Sequence, residues 1–491
     1  MHLRRRSLLL TACVVLVLAV IVAACGGSAS QQQQPVAPAD KGVPSAVPQG
    51  QAGSPAATAP AAQSGGAAAP AAKSSGGAVE LRYVLWDANQ LPAYQQCADA
   101  FQKKNPNISI KIEQSGWNDY WSNIQTGMVS GTAPDVFTDH LAKYPEFANK
   151  GQLVDIEPFV KRDNVDTKQY IGQLADLWTR DGKRYGLPKD WDTVAVVYNA
   201  DMLKKAGIDP ATMKDWTWNA TDGGTFGQAI AKLSIDKNGN DGTSPNFDPK
   251  NVVQYGFINQ GSGGFSGQTQ WSMFAVSDGF KFTDGPWAKK YYYDDPKLAE
   301  TMAWYAGLVK KGFTPPLEDV TSLGGATLFQ SGKGAMTTDG SWMINDYVNN
   351  SKFPVGFGLL PKGPQGRKSM FNGLADSIWT GSKHQEEAWQ WVKFLGSAEC
   401  QDIVGASAVV FPAIKSGADK SLAAHKAKGV DVSAFTEEGF DPNATFLFPI
   451  TDNGAQVTNI MNPTMDSIML GQAQPADALK KANDQVNALF K

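Results

Sequence analysis

The sequence predicts an α/β protein with a largely parallel sheet, organised as more than one domain. Three observations carry this: a regular alternation of strand and helix patterns, a folded part too long for one ordinary core, and amphipathic helices that continue to the C-terminus. Leu81-Arg82-Tyr83-Val84-Leu85 alternates like a strand, and Tyr94, Cys97 and Phe101 recur behind it at helical spacing. Ile108, Ile110 and Ile112 alternate as a second strand, and Tyr120, Ile124 and Met128 mark a second helix. Asp135-Val136-Phe137 reads as a third strand. Ligands bind sheets of this order beyond the carboxyl ends of the strands, which makes Trp86, Asp87, Asp139 and His140 candidate site residues. Further on, Ala388, Trp391, Val392 and Leu395 mark an amphipathic helix. Leu479, Ala482, Val486 and Phe490 mark a last one, opened by Pro475 at a good first-turn position.

Upstream, Arg4, Arg5 and Arg6 precede an apolar run from Leu8 to Ala24 and then Cys25. A charged head, a short apolar centre and a small-residue exit are the layout of a secretory signal, with a single anchoring helix as the competing reading. Val22-Ala23-Ala24-Cys25, followed by Gly26-Gly27, resembles the lipobox of bacterial lipoproteins. That resemblance implies a signal peptide over residues 1–24 and a lipid on the thiol of Cys25. From Gly26 to about Gly77 the chain is almost entirely Ala, Gly, Pro, Ser and Gln. Such a composition cannot bury enough apolar surface to offset its conformational entropy, so residues 25–78 read as a lipidated, disordered stalk.

The net charge of −3 is mixed along the chain, without the basic patch that nucleic-acid binding requires. Only Cys97 and Cys400 lie in the folded part. An oxidising compartment permits a disulfide between them, and two separate buried thiols fit the sequence equally well.

Several ordered motifs resemble the extracellular solute-binding proteins of ABC importers, in the sugar-binding branch that includes maltose-binding protein. They are Gly131-Thr132-Ala133-Pro134-Asp135-Val136-Phe137, Tyr185-Gly186-Leu187-Pro188, Val197-Tyr198-Asn199 and Ala206-Gly207-Ile208. The run from Leu328 to Met336 that ends at Gly340-Ser341-Trp342 follows, and then Glu387-Ala388-Trp389 through Phe394-Leu395. The resemblance spans Val79 to Lys491. It implies a type II periplasmic-binding-protein-like fold: two α/β lobes joined by crossing strands, with a ligand cleft between them that closes like a hinge. Mapped onto this chain, residues 79–191 and 369–411 form the first lobe, and 192–368 and 412–491 the second. Cys97 and Cys400 then share a lobe, which favours their pairing.

A sugar site needs flat aromatic rings for C–H faces and carboxylates or amides for hydroxyls. The resemblance places Trp342 as a stacking residue, and Trp191 and Asp192 beside a sugar-binding carboxylate. It also points to Asp139 and His140 after their strand, and to Asn372, Gly373 and Asp376 on the return crossing. Trp86 ends the first strand, with Asp87, Asn89 and Gln90 close behind. Thr138 stands where maltose-binding protein has a stacking tryptophan, so maltodextrin specificity does not carry over. Asp135 reads as a structural cap beside Pro134, and Trp216 and Trp218 as packing.

Asp236, Asn238, Asn240, Asp241 and Asp248 place oxygens as in a calcium loop, but the glycine falls one position late and an Asn/Asp/Gly turn competes. No other cofactor is implied. A glycoside hydrolase would need two carboxylates across a scissile bond, for which Asp192 and Asp376 are candidates by count alone. No G-x-S-x-G or H-E-x-x-H motif is present. A surface adhesin would also suit the long stalk. The motif order instead predicts a non-catalytic, monomeric lipoprotein outside the cytoplasmic membrane. It would bind a mono- or oligosaccharide and deliver it to permease subunits, with glycerol phosphate as an alternative cargo.

Overall fold

In the computed structural model, which describes residues 77–491, alternation and helical spacing resolve into the predicted elements. The strands Val79–Leu85, Ile108–Gln114 and Val136–His140 are joined by the helices Leu91–Lys104 and Trp117–Ser130. The apolar positions of the strand pattern, Leu81, Tyr83 and Leu85, are buried, as are Tyr94, Cys97 and Phe101 of the first helix. The signal segment, Cys25 and most of the stalk lie outside the described residues. Among the described residues no helix is long and apolar enough to cross a membrane.

The first sheet has five strands in the order Ile108–Gln114, Val79–Leu85, Val136–His140, Leu374–Ile378, Leu187–Pro188. The pairs among the first three are parallel, as the β-α-β-α-β pattern requires. Leu374–Ile378 enters antiparallel to Val136–His140, because the chain returns here from the second sheet rather than through a covering helix. The second sheet is also five-stranded: Val355–Gly358, Val194–Asn199, Gly334–Gly340, Val252–Ile258, Ile235–Asp236. Only Val252–Ile258 and Gly334–Gly340 pair in parallel there, so the largely parallel reading holds for the N-terminal half of the first sheet alone.

Short pairings mark the crossings between the sheets. Asp190–Trp191 pairs with Phe411–Pro412, Asp192 bridges to Asn372, and Ser369–Phe371 pairs with Thr445–Leu447. Trp191 belongs to this packing rather than to a ligand surface: it is 1% exposed and stacked between Phe371 and Phe411 at 5.9 and 5.0 Å. Trp216 and Trp218 are buried, as expected of packing residues. The helix Lys415–Ala427 lies against Ala398–Ser407 so closely that a side chain on Gly405 would meet the carbonyl oxygen of Gly417 at 2.1 Å.

Cys97 and Cys400 are joined by a disulfide, with their Cα atoms 5.2 Å apart, within the range such a bond needs. It staples the helix Leu91–Lys104 to Ala398–Ser407 across 303 residues of chain. Asp135 caps no helix. Its carboxylate accepts from the amide of Arg82 at 2.9 Å and the hydroxyl of Ser382 at 2.6 Å, tying the first strand to the returning chain.

A second tie lies inside the first lobe. Lys189 Nζ sits 3.4 Å from Asp376 Oδ1, and both side chains are sealed from solvent. Tyr83 donates to the same oxygen at 2.8 Å, and Thr138 at 3.1 Å. The ammonium also lies 3.9 Å above the ring of Tyr94. Asp376 is therefore a core residue of the first lobe and not a ligand contact. Replacing it by Ala leaves a buried, unpaired ammonium, and the loss in urea-unfolding free energy is expected to be about 3–5 kcal/mol.

Candidate functional site

The carboxyl ends of the three parallel strands gather an aromatic cluster. Trp86 follows the first strand and His140 ends the third. Trp117, Tyr120 and Trp121, at helical spacing, come from one face of the helix between the second and third strands. The ring of Trp86 meets Trp117 edge-on at 5.0 Å, Tyr120 at 5.2 Å and Trp121 at 5.5 Å. Trp117 is 44% exposed and lies 5.6 Å from His140. Phe448, on the last crossing segment, lies 5.1 Å from His140 and 5.7 Å from Phe265, carrying the aromatic row toward the second sheet. Rings arranged in this way present apolar faces and edges suited to a flat, C–H-rich ligand.

Beside the rings runs a polar chain that joins both lobes. Asn372 Nδ2 lies 3.2 Å from His140 Nε2 and donates to Asp192 Oδ2 at 3.1 Å. Within the second lobe, Gln268 Nε2 donates to the other oxygen of Asp192 at 3.1 Å. His140 Nδ1 accepts from the amide of Ala142 at 3.0 Å. Burial holds this imidazole down to about 3, so it is uncharged at neutral pH. Burial also pushes the carboxyl of Asp192 well above the usual range, reinforced by the neighbouring Asp190. Asn372 Oδ1 and Asp139 Oδ2 are buried without a partner among the described residues.

A further contact between the lobes sits near this site. Arg180 pairs with both carboxylate oxygens of Asp452, with Nη2 and Oδ2 at 2.8 Å. Its guanidinium lies 4.5 Å over Trp287, whose ring meets Tyr144 edge-on at 5.7 Å. Trp287 holds a left-handed φ of 63°, a costly conformation for a tryptophan that this packing maintains.

Residues 96–430 match the sequence profile of the bacterial extracellular solute-binding proteins. The chain belongs to this family. A putative binding protein of Brucella abortus is 25% identical to it over 84% of this chain and 93% of its own length. The galactooligosaccharide-binding protein of Bacillus subtilis is 23% identical, covering 83% of this chain and 89% of its own. An ABC substrate-binding protein from Listeria monocytogenes, solved in complex with cycloalternan, superposes with a TM-score of 0.73. It is 21% identical, covering 84% of this chain and 99% of its own, and shares the fold.

Within this solute-binding protein the residues singled out from the sequence divide. Trp86, His140, Asp192 and Asn372 come together at the strand ends, with Asp139 fully buried at the end of the third strand. Asp87 instead closes a turn of its own, accepting from the amide of Asn89 at 2.9 Å and from Gln90 Nε2 at 3.0 Å. Gly373 serves close packing, since a side chain there would meet Leu174 at 2.5 Å and the carbonyl oxygen of Asp190 at 2.9 Å. Trp342 lies half-buried over Gly340 at the end of a strand of the second sheet. Its ring makes no aromatic pair with the strand-end cluster among the described residues.

The Asp236 carboxylate accepts from the amides of Asn238, Asn240 and Asp248 at 2.8, 2.9 and 3.0 Å and from Asn240 Nδ2 at 3.0 Å. Those donors hold the loop as a hydrogen-bonded turn. The carboxylates weighed for a hydrolase are separated in role, Asp192 in the polar chain and Asp376 in the core ion pair. Trp117 was readable from its spacing to Tyr120 and Trp121. Gln268 and Phe448 carry no such signal, because they reach the site only through the fold.

Two predictions follow from this geometry. Burial raises Asp139 to about 8, from the ordinary aspartate range near 4, so the native state keeps its proton where the unfolded chain loses it. Its stabilising effect is complete below pH ~4 and is lost as pH rises through about 8. Asp139→Asn should therefore gain melting temperature relative to the parent protein between pH 5 and pH 8, read by calorimetry at each pH. Removing the Arg180 contact should loosen closure: Arg180→Ala is expected to raise the ligand-free radius of gyration in small-angle X-ray scattering. An unchanged radius would show that the pair does not hold the lobes together.

Proposed function

We propose that this protein is the sugar-capturing component of an ABC importer, a non-catalytic, monomeric lipoprotein tethered outside the cytoplasmic membrane through Cys25. The observation that carries the reading is the strand-end aromatic cluster joined to a polar chain whose members come from both lobes. A sugar ring laid on Trp86 and Trp117 keeps its hydroxyl edge free for His140, Asn372 and Asp192. Closure then brings Asp192, which Gln268 holds from within the second lobe, against the first-lobe residues in a drier site where polar contacts strengthen. The galactooligosaccharide-binding relative and the cycloalternan complex support an oligosaccharide as cargo. Family membership places the protein outside the cytoplasm, and the lipobox-like tetrad supports a lipid tether with the stalk as spacer.

No bond in the cargo is broken in this reading. The closed form is what the permease subunits recognise, and the cargo leaves unchanged when the lobes part. A thermal-shift screen against mono- and oligosaccharides tests it, since a ligand of the native state alone raises the melting temperature by mass action. One sugar class should give a clear shift and be recovered intact, and Trp117→Ala should weaken that binding about tenfold or more without lowering the ligand-free melting temperature. Cleaved sugar, or no shift with any sugar, would overturn the proposal.

A further inference from the structure

Beside the strand-end cluster stands a cation that forms no ion pair among the described residues. Lys143 follows His140 by three residues, and its amide donates to the carbonyl oxygen of His140 at 2.8 Å. Its side chain is half-buried, and Nζ lies 5.5 Å from the ring of Trp121, a member of the aromatic cluster. Among the described residues it forms no ion pair and donates no side-chain hydrogen bond.

The acids around it are engaged elsewhere or held neutral. Glu146, one turn further on, pairs with Lys150 at 2.5 Å. Asp139 is buried and keeps its proton until about pH 8, and Asp192 is pushed up by burial in the same sense. His140 contributes no charge at neutral pH. Burial lowers Lys143 itself from the ordinary lysine range, and the nearby carboxyl groups of Glu146 and Asp139 offset this only in part. At neutral pH His140 and Asp139 carry no charge, and a partly desolvated ammonium stands at the edge of the cluster. Such a group gains most from an anionic oxygen supplied by the ligand.

We infer that the sugar carried by this protein bears an acidic substituent, a carboxylate or a phosphate, which Lys143 binds while the sugar ring rests on the tryptophans. This rests on the sugar-binding reading and narrows it to acidic saccharides. The pairing would be made in the drier, closed cleft, which adds discrimination against neutral sugars of the same shape.

The test is isothermal titration calorimetry of the protein with matched pairs: trigalacturonate against a neutral galactooligosaccharide of equal length, and glucose 6-phosphate against glucose. The acidic member of at least one pair should bind about tenfold tighter or more, from one charge-assisted hydrogen bond, and the pair that responds distinguishes carboxylate from phosphate. Lys143→Met should abolish that preference while leaving the ligand-free melting temperature within a degree or two, and Lys143→Arg should retain much of it. Raising the salt concentration should weaken the acidic ligand more than the neutral one. Neutral sugars binding as tightly as their acidic partners, or an acid preference that survives in Lys143→Met, would overturn the inference and leave the sugar-binding reading intact. Absence of binding to either member of both pairs, with no shift across the wider panel, would overturn both.

Discussion

The structure depends on how the chain is pinned where it leaves the first sheet and returns to it. Lys189 sits on the outgoing crossing and Asp376 on the returning strand, and their buried pair is closed by Tyr83 and Thr138 from the first and third strands. Four segments distant in sequence thereby meet at one charge. Burying an ion pair yields little net stability over an apolar core of the same shape, because desolvation offsets most of the attraction. What it supplies is register: the ammonium is satisfied in one arrangement of the strands only. The aromatic sandwich of Trp191 between Phe371 and Phe411 adds the apolar part of the same joint.

Because the crossings are fixed in this way, Asp192 and Asn372 are delivered to the mouth of the first sheet beside His140. A carboxyl group held by Gln268 from its own lobe and by Asn372 from the other is a natural place for closure to be sensed. The Arg180, Asp452 and Trp287 contact acts in the same direction from the side, with some of its gain spent on the left-handed backbone of Trp287. Closure therefore sums modest interactions between preformed surfaces, which is what a protein that must also release its ligand requires.

The parallel half of the first sheet could be read in the sequence because its elements are amphipathic over long, uninterrupted windows. Leu81, Tyr83 and Leu85 alternate, and Tyr94, Cys97 and Phe101 repeat at helical spacing, whatever lies around them. That Trp86 and His140 lie at the carboxyl ends of the strands, where ligands meet such sheets, was legible for the related reason that each follows or ends a readable strand. The antiparallel return of Leu374–Ile378 was not, because strand direction depends on where the chain has travelled in between. Trp191 and Asp376 have the residue types of a sugar site, yet stacking partners and a buried lysine turned them into core residues.

The sequence by itself determined the order of elements, the apolar faces and the family, since all three rest on local periodicity and short ordered motifs. Tertiary structure alone decided which polar residues face one another. Asp192 finds Gln268 across 76 positions and Asn372 across 180, and Cys97 finds Cys400 across 303. No local pattern encodes such distances. It also decided charge: burial, which exists only once the chain is packed, pushes Asp139 up to about 8, raises Asp192 in the same sense and holds His140 neutral.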